Sequence, residues 1–299
     1  MLTALEIREG VPLDRFTSWR VGGPARYFIE PGSIVELEAA LGWARDQGVP
    51  HFVLGKGSNL LIADAGFDGL VIRMTDRMGA MAIEDDLVTA EAGCANSALV
   101  RAAAERDRGG LEFLTTIPGT LGGAVFMNAG AHGASVSDVL VSAQVLLPDG
   151  RLLTQTGEEL AYRYRYSNLA ERSGIVVGAT LRTIHKPKAE VQAEVSALSK
   201  WRRERQPQGL SAGSVFTNPP GTSAGRLIED TGCKGLTVGR AQVSPVHANF
   251  FVNLGGATEA DLNGLIREVQ ARVHEKHGLW LHPEVRGVGC HVGLEVAHS

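Results

Sequence analysis

Apolar positions fall into short runs and helical stripes separated by glycine, proline and charged turns. Ile34, Leu37, Leu41 and Ala44 recur at helical spacing, which predicts a helix with Ser33 and Glu36 as a reciprocal capping box and Gly48 just past its end. Runs at 26–29, 51–54, 60–62 and 69–72 read as short strands around it. Residues 81–83 and 87–90 predict a hairpin across Glu84, Asp85 and Asp86, and 97–108 an alanine-rich helix closed by Gly109 and Gly110. The run 139–147, the turn Pro148-Asp149-Gly150 and residues 151–154 predict a second hairpin, and 175–181 a buried strand.

After a proline-containing break at 185–188, Val191, Val195 and Leu198 lie on one helical face with Trp201 three residues on. That helix ends in a cationic turn, Arg202-Arg203-Glu204-Arg205, before Pro207; a solvated helix end accounts for these arginines as well as a binding role does. Residues 223–231 predict a short helix stopped by Gly232. Thr258 with Asp261 caps a last helix with the stripe Leu262, Leu265, Ile266, Val269 and Val273, ended by Gly278. A strand at 279–281 follows, and the tail beyond Gly287 is expected to fray. The pattern divides into three segments, 1–76, 77–186 and 187–299.

Composition narrows the class. Glycine is 37 of 299 residues, well above the roughly 7% average, which favours a loop-rich mixed αβ architecture over a helical bundle. Net charge of −4 and a pI near 6.2 provide no global basic field, so wholesale nucleic-acid binding is disfavoured. No export signal and no apolar run near 18 residues is found, and Cys94, Cys233 and Cys290 are scattered without metal or disulfide spacing. The expectation is a cytoplasmic protein with free thiols, no metal and no membrane association.

Two glycine-rich stretches carry the candidate chemistry. Residues 117–130, IPGTLGGAVFMNAG, hold Gly119, Gly122, Gly123 and Gly130 with almost no ionisable side chain, so this stretch presents backbone. Residues 55–59, GKGSN, follow a strand-like run. Two such loops are able to clasp one pyrophosphate from two sides; each is equally consistent with a tight turn. The second resembles a dinucleotide fingerprint, with Asp76 about 19 residues beyond Gly57, but Leu60 stands where the third glycine belongs. A phosphate loop of the Walker type fails because Gly57 follows Lys56. Between the second hairpin and the buried strand, LAYRYRYSN at 160–168 alternates ring and cation, the pattern of a strand with one aromatic and one charged face.

Seven strings in order, GKGSNLL at 55–61, IPGTLGGA at 117–124, NAGAHG at 128–133, YRYRYS at 162–167, GSVFTNP at 213–219, HANFFVN at 247–253 and HPEVR at 282–286, resemble the bacterial UDP-N-acetylenolpyruvoylglucosamine reductases, the MurB family. The resemblance implies an α+β chain with the FAD-binding fold of the vanillyl-alcohol oxidase and para-cresol methylhydroxylase type. Two αβ subdomains, 1–76 and 77–186, would hold FAD, and a smaller αβ domain, 187–299, would bind the UDP-sugar. It further implies NADPH-dependent reduction of UDP-N-acetylglucosamine enolpyruvate to UDP-N-acetylmuramate, on the route to peptidoglycan. Only a few residues separate Ser167 from the strand near Ile175, so the branch without an extra tyrosine-bearing substrate loop is indicated.

By the same resemblance, Ser214 is the proton donor, Arg165 polarises the substrate carboxylate and Glu284 is the third catalytic position. Two Tyr-Arg pairs compete; only the frame from Tyr162 to Ser167 matches the family, which selects Arg165 over Arg163. Gly55, Lys56, Gly57, Ser58 and Asn59 fall on one FAD wall, and Pro118, Gly119, Thr120, Gly122 and Gly123 on the other. Tyr164, Arg205, Asn218 and Lys234 are the substrate contacts. Two rivals are an FAD-dependent alcohol or hydroxy-acid oxidase of the same fold and a nucleotide-sugar sensor. The first usually wants His or Cys near the first loop for covalent flavin attachment, and 55–59 has neither. The second has no use for Ser214, Arg165 and Glu284 together.

Overall fold

The computed structural model describes residues 5–294. The described residues form two compact units: 5–8, 28–55 and 70–202 make the first, and 9–27, 56–69 and 203–294 the second. Parts of the expected first segment, 9–27 and 56–69, therefore group with the C-terminal residues.

The first unit is built on an antiparallel five-stranded sheet in the order Leu152–Gln155, Leu140–Leu146, Ile175–Arg182, Leu87–Glu91, Met81–Glu84. Both expected hairpins are present, with Glu84 opposite Leu87 and Leu146 opposite Leu152. The central strand Ile175–Arg182 is almost wholly buried because its apolar run has no polar alternation. Helix α1, Ile34–Asp46, starts at Ser33, whose hydroxyl accepts from Glu36 N–H at 3.2 Å. The expected reciprocal bond is displaced by one residue: the Glu36 carboxylate accepts from Gly32 N–H at 2.8 Å. Helix α2, Asn96–Ala104, stops short of the expected 108 because Asp107 takes a left-handed φ of 53°. Helix α3, Leu121–Phe126, rises from the first glycine-rich stretch and lies against the central strand. A short turn, α4, spans Val136–Val139, and α5 spans Lys188–Arg205.

The second unit has an antiparallel sheet in the order Leu210–Ser214, Phe250–Asn253, Ala241–Val243, Thr237–Val238. Helices α6, Ala224–Asp230, and α7, Glu259–His277, pack with it around a core containing Phe216, Phe251, Leu265, Ile266 and Val269. Trp19 joins that core fully buried, its indole donating to Phe251 O at 2.8 Å while Asn253 Nδ2 donates to Trp19 O at 2.8 Å. The α7 capping box and its left-handed Gly278 stop are both present. Residues 279–281 are not a strand; Gln270 Nε2 donates to Leu281 O and Trp280 stacks on His274 at 3.9 Å, so the segment folds back on α7. Nor does the tail fray through Leu294: Arg286–Val288 pairs in parallel with Leu60–Ile62, and Gly293 and Leu294 donate to Asn263 and Gln270. Residues 295–299 lie outside the described residues. Among the described residues no helix is long and apolar enough to cross a membrane, and no group of His, Cys, Asp and Glu could hold a metal ion.

Candidate active site

In the first unit the glycine-rich stretch divides its labour. Leu121 and Gly122 N–H groups donate to Cys94 O and Ala92 O at 2.8 and 2.9 Å. A Cβ on Gly122 would stand 2.8 Å from Ala92 Cβ, so Gly122 is small because the fold packs there. Gly123 differs. It is exposed, a Cβ there would meet nothing nearer than Thr120 Oγ1 at 3.8 Å, and its N–H, in a first helical turn, has no protein acceptor among the described residues. Gly55 abuts the same threonine, where a Cβ would come within 2.8 Å of Thr120 Oγ1. Gly55, the first residue of one stretch, thus meets the other at Thr120. Asn96 holds the approach, donating to Ile117 O at 3.0 Å, while its buried Oδ1 has no partner among the described residues. An exposed glycine, an exposed Pro118 and an unpartnered buried acceptor fit a polar cofactor lying against backbone.

The remaining residues of the 55–59 loop belong to the second unit. Gly57 has φ of 61° and a Cβ there would sit 2.1 Å from Phe16 O, so its own chain demands glycine. Lys56 is exposed and Ser58 half-buried. Asn59 faces the segment that carries Glu284, with Nδ2 donating to Glu284 O at 3.0 Å and its carbonyl accepting from Arg286 N–H at 3.1 Å.

The segment 160–168 is not the strand its alternation predicts. Ala161 and Arg165 take φ of 49° and 55°, which a strand does not allow, and the chain turns. Tyr162 and Ser167 pin the turn to the end of α3: Tyr162 OH donates to Val125 O at 2.8 Å and Ser167 Oγ to Phe126 O at 2.6 Å. Burial pushes the Tyr162 phenol well above its ordinary range. Asn128 adds a third hold, donating to Arg163 O at 3.0 Å. At the tip the two arginines part. Arg165 is half-buried, its Nη2 donates to Gly130 O at 2.6 Å and its guanidinium lies 4.8 Å from the ring of Tyr164, which is 55% exposed. Arg163 is exposed and covers Tyr166.

In the second unit Ser214 ends a strand interrupted by a bulge. Pairing shifts register between Ser211 and Ser214, with Gly213 at φ 79°, and such a bulge re-aims the next side chain. Glu284 N–H donates to Val215 O at 2.8 Å, and Thr217 N–H to His282 O at 3.0 Å. Ser214 and Glu284 are thereby brought together. Ser214 also lines a cleft of about 640 Å³ with Asn218, Ser223, Arg226, Glu229, His247 and Asn249 among its walls. Asn218 Oδ1 accepts from Ala224 N–H at 3.0 Å at the start of α6. Lys234 pairs with Glu229 at 2.7 Å. Burial, then the Lys234 charge, push the His247 imidazole below its ordinary pKa of 6.5. Arg205 stands at the exposed end of α5 beside Glu204 and is not among the cleft-lining residues.

Sequence reasoning gave no role to Arg226, His247 or Asn249. The last two lie inside the HANFFVN string, which was the available signal. Arg226 had none.

Two family profiles match: "FAD binding domain" over residues 25–156 and "UDP-N-acetylenolpyruvoylglucosamine reductase, C-terminal domain" over 206–288. A UDP-N-acetylenolpyruvoylglucosamine reductase of Rubrobacter xylanophilus is 44% identical, covering 93% of this chain and 94% of its own. One from a Synechococcus strain is 44% identical over 98% and 97%. The crystal structure of UDP-N-acetylenolpyruvylglucosamine reductase (MurB) from Thermus caldophilus superposes with a TM-score of 0.81 at 37% identity, covering 95% of this chain and 98% of that one. The fold is the vanillyl-alcohol oxidase type of FAD-binding domain joined to the reductase C-terminal domain, and the chain belongs to the UDP-N-acetylenolpyruvoylglucosamine reductase family of FAD-dependent oxidoreductases.

Proposed function

We propose that the protein reduces UDP-N-acetylglucosamine enolpyruvate to UDP-N-acetylmuramate in the cytoplasm at the expense of NADPH. Reducing the vinyl ether adds hydride to its methylene carbon and a proton to the ether-bearing carbon, with negative charge gathering beside the carboxylate in between. Bound FAD supplies the hydride. Gly55, Thr120 and Gly123 would hold it, with Lys56, Gly57, Ser58, Asn59, Pro118, Gly119 and Gly122 completing the two walls. Residues 1–76 and 77–186 serve the cofactor and 187–299 the sugar nucleotide. Arg165 sets its charge against the carboxylate, and Ser214 delivers the proton with Glu284 shaping the charge around it. Tyr164, Asn218, Lys234 and Arg205 contact the substrate.

One observation supports this most: Glu284 N–H bonds the carbonyl of the residue after Ser214 at 2.8 Å, beside a cleft of about 640 Å³. Serine is a weak acid in water, so a rigid hold matters more for it than for a group with a matched pKa. The test is stopped-flow absorbance on each half-reaction of Ser214→Ala. Reduction by NADPH should stay near the wild-type rate. Reoxidation by the enolpyruvyl sugar should slow by about 10²–10⁴-fold, the range for loss of a positioned acid. Equal rates of reoxidation, or equal losses in both halves, would overturn the assignment.

A further inference from the structure

Beyond the three catalytic positions, a single buried amide controls the turn that carries the donor. We infer that Asn249 is a positioning residue which fixes Ser214 and Glu284 in one register; this rests on Ser214 being the proton donor. Asn249 is 3% exposed. Its Oδ1 accepts from Phe216 N–H at 3.0 Å and its Nδ2 donates to Phe216 O at 2.8 Å, while its own carbonyl accepts from Val215 N–H at 2.8 Å. Three of its groups therefore grip the two residues that follow Ser214. The carbonyl of Val215 then accepts from Glu284 N–H, so the peptide held by Asn249 on one side holds Glu284 on the other.

The bulge explains why a side chain is needed here. Regular ladder bonds would fix a strand residue, but the register shift at Gly213 breaks the ladder just before Ser214. Only an amide offers one acceptor and one donor at the spacing of a peptide's own N–H and C=O. An aspartate has the acceptor alone, and a leucine has neither. Phe216 anchors the far side in the core, edge-on to Phe251 at 6.0 Å. Asn249 is itself oriented by its neighbours, its N–H donating to His247 Nδ1 at 3.2 Å with that ring against Phe250 at 4.7 Å.

The experiment uses the complete flavin-loaded enzyme carrying Asn249→Ala or Asn249→Ser, beside Ser214→Ala and a control, Asn263→Ala. Asn263 is also buried and hydrogen-bonded in the second unit, to Glu259, His291 and Gly293. In both Asn249 variants, reoxidation by the enolpyruvyl sugar should slow by roughly ten- to a hundredfold, as expected of a misplaced reacting group. Reduction by NADPH should stay within about twofold. Hydrogen exchange at Val215 and Phe216 amides should quicken. Asn263→Ala should lose stability without slowing reoxidation. Should Asn249→Ala fail to fold, Asn249→Ser, which keeps one hydroxyl near Phe216, decides. A wild-type reoxidation rate in the Asn249 variants beside a slow Ser214→Ala overturns the inference alone. Loss of reoxidation in Asn263→Ala as large as in Asn249→Ala overturns it as well. A fast Ser214→Ala overturns the donor assignment and this inference with it.

Discussion

Arg165 sits on a turn whose neighbours reach out with hydroxyl groups to the end of a helix, whereas Ser214 sits beside peptides gripped by one buried amide. On the first turn the holds are spread over Tyr162, Ser167 and Asn128, each with one bond to α3 or the turn itself. On the second, Asn249 by itself takes Val215 N–H and both backbone polar groups of Phe216. A distributed hold degrades by steps when single residues are removed, while a concentrated one fails at a single position. The proposed roles give this a reason. An arginine acts through a charge that tolerates small displacements, but proton delivery requires donor and carbon within hydrogen-bonding reach.

The largest effect on the first turn should come from the charge itself. Arg165→Met removes the cation that the proposed mechanism sets beside the developing carboxylate charge, and turnover should fall about a hundredfold or more. Arg163→Met should be far milder, because Arg163 is exposed and covers Tyr166. Steady-state kinetics on both variants measures the contrast. Equal losses would remove the distinction between the two arginines and with it the significance of the Gly130 contact.

A smaller effect tests whether the first hold is distributed. Ser167→Ala deletes the bond to Phe126 O, and Tyr162→Phe the bond to Val125 O, which retains Asn128 N–H at 3.3 Å. Each should cost stability of about 1–3 kcal/mol, the range for a buried polar group losing its partner, with Tyr162→Phe the milder. Turnover should fall roughly tenfold or less, short of the about 10²-fold that a misplacement near 1 Å brings, and Ser167→Thr should restore most of it. Thermal melts with kcat and KM for the sugar check this. A hundredfold loss from either single change would mean that this turn is as concentrated as the other.

The same contrast governs what the sequence disclosed. Helix α7 was legible because its signals are local: Thr258 and Asp261 lie three apart, the stripe from Leu262 to Val273 follows, and Gly278 ends it. The hairpins and the buried strand 175–181 were legible for the same reason. The Tyr-Arg segment misled because its alternation fits a strand, and what bends it is bonding to residues about 35 positions away. Gly122 and Gly123 are alike in sequence, yet only Ala92, in the turn after the strand Leu87–Glu91, assigns one to packing. The proposed catalytic trio came from family strings, whereas Asn249, marked only as part of the HANFFVN string, touches its partners across 33 positions. Periodicity reads local order; a clamp between distant segments needs coordinates.

The smallest expected effect is the most selective for the second turn, because of the two holds only that one contains an imidazole. His247 must be neutral at Nδ1 to accept from Asn249 N–H. Burial first, and then the charge of Lys234, lower its pKa from the ordinary 6.5, with Glu229 opposing. In the unfolded chain the imidazole takes its proton near 6.5, and in the folded protein only at lower pH. The stabilisation from keeping it neutral is therefore whole above the ordinary value and is lost as pH falls through the lowered folded one. Melting temperature should drop by a few degrees between about pH 7.5 and pH 5 on this account. Reoxidation by the sugar should weaken over the same window before NADPH reduction does. His247→Gln keeps an acceptor that does not titrate and should flatten that part of the slope, while Lys234→Met should move the window up toward 6.5. The Arg165 turn, held by hydroxyls and an amide, offers no such dependence. A slope unchanged in His247→Gln would assign the pH sensitivity to other groups and leave Asn249 without a titrating partner.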